Sequence, residues 1–369
     1  MIYLDNAATT FPKPDSVINA VMNVLTEAGG NPGRGGHIFS RKSEEKIFEC
    51  RELLAEFIGA ETPDNIIFTK NTTEALNLAI KGTVNPGDEI ILSSMEHNSV
   101  LRSAVSLEKS GVTVKIARAD SSGLVRVDSI LPLITERTKL LCIIHASNVT
   151  GTLNPVKEIC TAARKKGVLT LIDAAQTGGI EPIDAKFFDM IAFAGHKALY
   201  GPFGTGALYI RGGLKLNPLL FGGTGSMSES AFMPDILPDR YEAGTLNACG
   251  IAGLCEGIKF VKKEGSAEKE KELGRFLMEE LSSVGGVRII GIPSAGVIGL
   301  RCLSHDCVEI AERLDSEYKI AVRSGLHCAP MAHRTLGTVT DGLLRISVGF
   351  FNTKEDISSV VSAINHLTR

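Results

Sequence analysis

Between residues 65 and 210, seven short apolar runs rich in β-branched residues alternate with stretches of helical spacing, and this alternation constrains the fold more than any other feature. The runs are NIIFT (65–69), EIILSS (89–94), VTVKIA (112–117), KLLCIIH (139–145), VLTLID (168–173), DMIAFAG (189–195) and GALYI (206–210). Several are hydrophobic at every position, the pattern of strands covered on both faces, which belongs to a mainly parallel sheet. The intervening segments, such as TEALNLAIKG and VKEICTAARKKG, have helical periodicity and a glycine after a basic last turn. The expectation is an α/β fold whose large domain is a doubly wound, mainly parallel sheet of about seven strands. After Gly250 come helical patterns at 251–263 and 266–283, then shorter strands and helices in mixed order, as in a smaller C-terminal α+β domain. The predicted division is a large domain over 15–250 and a small one built from 1–14 and 251–369. The stretch 222–244 has no clear period and is predicted to be a long loop.

Composition removes several function classes. A net charge of -3 with dispersed lysines and arginines offers no basic stripe, so no nucleic-acid partner is expected. No run of eighteen apolar residues occurs and MIYLDNAATTFPKP lacks the pattern of a secretory leader, so a cytoplasmic protein without a membrane segment is expected. The eight cysteines form no CxxC pair, so most are expected to be reduced and inert. Cys328 with His327 and His333 falls one ligand short of a closed zinc site, and no metal is expected.

In open α/β sheets, sites collect at the carboxyl ends of the strands. After NIIFT, Thr72 and Thr73 open a helix with Glu74 in its first turn; their hydroxyls suit a phosphate and equally suit an ordinary cap. EIILSS leads to His97, and KLLCIIH leads to Asn148, which fits either a ligand or a turn. VLTLID ends on Asp173 with Gln176 beyond; a carboxylate there wants a cation or caps the next element. DMIAFAG delivers His196 and Lys197 into a glycine-rich turn, where a poorly solvated amine has a lowered pKa and can form a Schiff base. Asp173 and Lys197 on successive strand ends suit pyridoxal phosphate, the carboxylate for its ring nitrogen and the lysine for its aldehyde carbon.

LDNAATT, NTTEALNLA, EHNS, ASNVTGT, LIDAAQ, GHKALYGPFGTG, YEAGTLN, RSGLHCAP and LRISVGFFNT occur in the order and spacing of class V aminotransferase-fold enzymes, the fold-type I pyridoxal-phosphate class. Across nearly the whole chain the set looks most like a cysteine desulfurase, and RSGLHCAP resembles the short-loop (type II) group and the related selenocysteine lyases. The resemblance implies that Lys197 holds the cofactor, Asp173 pairs with its ring nitrogen, Gln176 bonds its hydroxyl and His97 stacks on its ring, with Lys197 or His97 moving protons in catalysis. It further implies that Thr72, Thr73 and His196 bind the phosphate, joined by Thr245 of a second copy in a homodimer. Asn148 and Arg345 would take the substrate carboxylate, Arg323 would position substrate or thiolate, and Cys328 would receive sulfur from L-cysteine as a persulfide while L-alanine leaves. The implied acceptor is a sulfurtransferase, an iron–sulfur cluster assembly scaffold or a small thiol. Selenocysteine lyase and an aminotransferase or epimerase that does not use Cys328 are the alternatives. His327 and Arg323, if charged and close, would favour a Cys328 thiolate. Three positions depart from the family pattern: Ala194 where serine is frequent, the extra Ala198 after the lysine, and Leu326 two residues before the cysteine.

Overall fold

The computed structural model describes residues 1–33, 35–294 and 296–369. After a two-residue strand, β1 (Ile2–Tyr3), come the seven strands read from the sequence: β2 (Ile66–Thr69), β3 (Glu89–Ser93), β4 (Thr113–Ala117), β5 (Thr138–Ile144), β6 (Leu169–Asp173), β7 (Met190–Ala194) and β8 (Gly206–Ile210). They form one sheet in the order β2-β8-β7-β6-β5-β3-β4, in which only β8 runs against its neighbours. Every residue of β3, β7 and β8 is buried.

Alternate side chains enter two apolar cores, as the two-residue period of a strand requires. Ile91, Ile143, Ile172 and Phe193 pack on one face with the helices Ile38–Ile58, Val156–Arg164 and Ala248–Glu264. Ile90, Leu92, Leu140 and Leu171 pack on the other with Thr72–Thr83 and Asn98–Val105. Helices on both faces make the sheet doubly wound, as the continuous apolar runs require.

The carboxyl-terminal part contains β9 (Val287–Ile290), β10 (Val297–Cys302), β11 (Ile320–Ala321), β12 (Arg323–Gly325) and β13 (Leu343–Ser347). Four of these make an antiparallel sheet in the order β12-β13-β10-β9. The helices Ser266–Leu281, Cys307–Tyr318 and Lys354–Leu367 contribute Leu277, Ile310 and Ile364 to its core. Leu4 lies in that same core and β1 pairs in parallel with β11, so the chain's first residues are built into this part. Lys354–Leu367 starts with a capping box between Thr353 and Asp356.

The stretch 222–244 contains no helix or strand, as its lack of period predicts. Glu242 at its end is buried and holds Arg51 of the helix Ile38–Ile58 in a two-pronged pair, Nη1 to Oε1 and Nη2 to Oε2 both at 2.8 Å. Glu242 Oε1 also accepts the Phe68 N–H at 2.6 Å, so one carboxylate ties the loop to both β2 and a helix. Removing one charge strands the other in the interior. Glu242→Gln is therefore expected to cost about 3 kcal/mol of folding stability, read as a lower urea midpoint with an unchanged slope.

Candidate active site

Strands β2, β3, β5, β6 and β7 all point the same way, so the loops leaving their carboxyl ends meet along one edge of the sheet. They enclose a cavity of about 230 Å³. Eleven of the residues singled out from the sequence line it: Thr72, Thr73, His97, Asn148, Asp173, Gln176, His196, Lys197, Arg323, His327 and Arg345. Cys328 is exposed beside it on the loop after β12. Thr245 is not at this cavity; it lines a separate one with Lys70, Tyr241 and Asn247.

Lys197 leaves β7 through a tight turn closed by Tyr200 N–H to the Lys197 carbonyl at 2.7 Å and Gly201 N–H to the Gly195 carbonyl at 2.8 Å. Gly195 is required there, because a Cβ would lie 2.2 Å from Thr205 Oγ1. Burial lowers the Lys197 pKa from 10.5 to about 8; Asp173 opposes the shift and the Arg345 and Arg323 charges add to it. The His196 carbonyl accepts from the Thr9 hydroxyl at 3.0 Å and from Lys13 Nζ at 2.8 Å, so the N-terminal segment staples the lysine turn in place.

Asp173 ends β6 with its carboxyl buried, and burial raises its pKa although the Ala175 N–H donates to Oδ1 at 2.9 Å. Glu96, just before His97, is buried as well; burial foremost, with the Asp173 charge adding, pushes its pKa up to about 8. At neutral pH Glu96 is mostly protonated and Asp173 is the acid poised for a cation. Gln176 Nε2 donates to the Ala7 carbonyl at 3.1 Å.

Asn71 caps the helix Thr72–Thr83, its Oδ1 accepting the Glu74 N–H at 2.9 Å. The cap is thus supplied by the residue before the two threonines. Thr73 Oγ1 is 2.8 Å from Ser99 Oγ, and His97 heads the helix Asn98–Val105. Burial above all brings the pKa of His97 and of His196 down to about 4, so both rings are neutral at pH 7.

Arg345 on β13 is buried, with Nη2 on Asp5 Oδ1 at 2.6 Å and Nη1 on the Asn148 carbonyl at 3.0 Å. Asn148 Nδ2 donates to the His327 carbonyl at 2.7 Å. Among the described residues, nine buried side-chain atoms lack a hydrogen-bond partner, and four of the nine are Arg345 Nε, Asn148 Oδ1, His196 Nδ1 and His327 Nδ1. All four belong to residues lining the one cavity. Unmet polar groups concentrated this way mark a site shaped for a polar ligand.

The cysteine loop is held by its neighbours. His327 and Cys328 both adopt left-handed backbone angles, φ 47° and 57°. The Cys328 carbonyl accepts the Asn98 N–H at 2.8 Å and His327 Nε2 lies 3.1 Å from the Leu343 carbonyl. Arg323 Nη2 is 3.8 Å from Cys328 Sγ. One expectation needs correction. His327 does not support a thiolate as a cation, because burial, with the Arg345 charge adding, brings its pKa down to about 2. It is a neutral strut turned inward, and Arg323 is the positive group at the sulfur. His333 is likewise buried, with Nδ1 on the Thr338 hydroxyl at 2.8 Å, so neither histidine joins Cys328 as a ligand.

Sequence reasoning assigned no role to Asp5, Ala7, Asn71 or Ser99, all of which touch this site. LDNAATT carried the signal: a carboxylate and hydroxyls packed into a segment with no periodicity.

Residues 2–360 match the family described as Aminotransferase class-V. A probable cysteine desulfurase of Methanothermobacter thermautotrophicus is 36% identical, with 96% of this chain and 92% of that protein aligned. A cysteine desulfurase of Escherichia coli is 32% identical over 100% of this chain and 94% of its own length. Among solved structures, an apo cysteine desulfurase from Thermococcus onnurineus superimposes with a TM-score of 0.93 at 32% identity, covering 100% of this chain and 94% of that one.

Proposed function

Because the chain belongs to the class-V aminotransferase family, we propose that it is a pyridoxal-phosphate-dependent cysteine desulfurase, converting L-cysteine to L-alanine with the sulfur left as a persulfide on Cys328. The observation that carries this is one cavity holding a buried carboxylate, a lysine of lowered pKa and four unmet polar atoms, beside an exposed cysteine. The donor set fits pyridoxal phosphate. Asp173 is a buried acid in want of a cation; Thr72, Thr73 and His196 would bind the phosphate, and Gln176 would bond the ring hydroxyl. His97 supplies a ring to stack on.

When bound, pyridoxal phosphate supplies an electrophilic aldehyde carbon and a ring that takes up the electron pair released at the substrate α-carbon. Asp173 would pair with the ring nitrogen and favour its positive form. The Lys197 amine accepts and returns the proton at the α-carbon. Arg345, aimed by Asp5, binds the substrate carboxylate together with Asn148. Arg323 lies beside Cys328 Sγ, and that sulfur attacks the substrate sulfur. The S–S bond forms as the C–S bond breaks; the bonding pair stays on carbon, which is protonated to the methyl group of alanine. Sulfur is oxidised as carbon is reduced, so no outside oxidant is needed.

Thr245 lies outside this cavity; in the homodimer that the resemblance implies, it would serve the neighbouring copy's phosphate. Exposed Phe203, Phe221 and Phe232 offer apolar surface for such contact. The sulfur acceptor would take the persulfide from the exposed Cys328. No helix among the described residues is long and apolar enough to cross a membrane.

The test is release of alanine from L-cysteine by the cofactor-loaded chain in the presence of a thiol; no alanine would refute the reading. A second check uses pH. A lysine that titrates near 8 is mostly ammonium below that point and mostly free amine above it. Covalent capture of added pyridoxal phosphate, followed by absorbance, is expected to speed up from about pH 7 and level off above about pH 9. A rate still climbing at pH 10.5 would return the amine to its ordinary value.

A further inference from the structure

Ser99 lines the cavity and has none of the roles above. Its hydroxyl oxygen is 2.9 Å from His97 Nδ1 and 2.8 Å from Thr73 Oγ1, so one small side chain touches both the histidine and the start of the helix Thr72–Thr83. Its backbone N–H also points to His97 Nδ1, at 3.1 Å. A backbone N–H only donates, so Nδ1 is the bare nitrogen and the ring proton sits on Nε2. The ring stays in that neutral form: burial, and then the positive charges of Lys197, Arg323, Arg345 and Arg102, all disfavour a second proton.

The Ser99 hydroxyl has one hydrogen and two acceptors in reach, and Thr73 has one hydrogen as well. With the helix start empty, Ser99 is free to donate to Nδ1. An anion that takes the Thr73 hydrogen would leave the Thr73 oxygen able to accept the Ser99 hydrogen. Nδ1 is then held by the backbone N–H alone.

We propose that Ser99 is a positioning residue linking anion occupancy at Thr73 to the electronic state of His97 through the chain His97 Nδ1, Ser99 Oγ, Thr73 Oγ1. The consequence is a histidine whose ring nitrogen loses one of its two donors once the phosphate end of the site is filled, which raises the ring's affinity for a proton. The proposal rests on the reading of Thr72 and Thr73 as the anion site.

The experiment uses the full chain freed of cofactor, labelled with 15N-histidine, with inorganic phosphate as the probe and calorimetry to follow its binding. In the wild type, saturating phosphate is expected to move the His97 Nδ1 resonance downfield, the direction of a lost donor. In Ser99→Ala the resonance is expected to start downfield and stay there on adding phosphate, and Ser99→Thr to restore the wild-type response. A merely structural serine would leave the response intact. The proposal fails if Ser99→Ala responds like the wild type, or if the wild type binds phosphate with no movement of Nδ1. Absence of phosphate binding in the calorimeter overturns the anion-site reading itself, and this proposal with it.

Discussion

Lys197→Ala is expected to lower alanine production by about 10⁴-fold and to remove the absorbance band of a covalently held cofactor. On the proposed assignment two roles fall on the same amine, attachment and proton transfer, and no other group lining the cavity is an amine. Lys13, which does not line the cavity, also has its pKa lowered by burial, to about 7, but its Nζ is committed to the Thr10 hydroxyl at 2.7 Å and to the His196 carbonyl. The variant should still fold. Removing a long side chain from a cavity wall relieves a partly buried cation, and the turn behind it is fixed by backbone bonds at Tyr200 and Gly201. Its melting temperature is therefore expected to stay near the wild-type value while the spectrum changes. A Lys197→Ala chain that still held the cofactor covalently would contradict the assignment.

The same residues show what the sequence disclosed and what it withheld. The large sheet was legible because both of its faces are covered, which forces apolar residues at every position of runs such as IIL (90–92) and leaves no competing period. Asp173, His97 and Lys197 were legible because polar groups directly follow those runs, at the edge where parallel strands deliver them. The Asp5 contact with Arg345 was not, because its two residues are joined only when β1 docks beside β11, far along the chain. The seven-residue helix Pro330–Leu336 is too short to establish a period. The state of His327 was also hidden: its spacing beside Cys328 suggested a cation, and only its burial against Leu343 shows a neutral ring. Charge state depends on desolvation, which a local pattern does not carry.

Cys328→Ala is expected to cut alanine formation from L-cysteine by about 10³-fold or more, because it removes the proposed sulfur-accepting atom. Substrate entry should survive, since Arg345, Asn148 and Lys197 do not depend on the thiol, and cysteine should still perturb the cofactor's absorbance in the variant. This separates a lost nucleophile from a lost site. The wild type carries a matching signature. Without an added thiol or acceptor, one alanine per chain is expected before the reaction stalls, because a persulfide on Cys328 leaves no second thiolate to attack. A thiol that strips the persulfide restores turnover. Selenocysteine supplies the contrast, because its selenium leaves carbon more readily and needs less help from an attacking sulfur. A wild-type chain that releases alanine from selenocysteine but none from cysteine would be a selenocysteine lyase. Activity on other amino acids retained in Cys328→Ala would make it an aminotransferase or epimerase. The fixed geometry of the loop favours loss on cysteine: Asn98 and Asn148 pin the two left-handed residues, and Arg323 lies 3.8 Å from the sulfur, an arrangement that a cysteine without chemistry would not need.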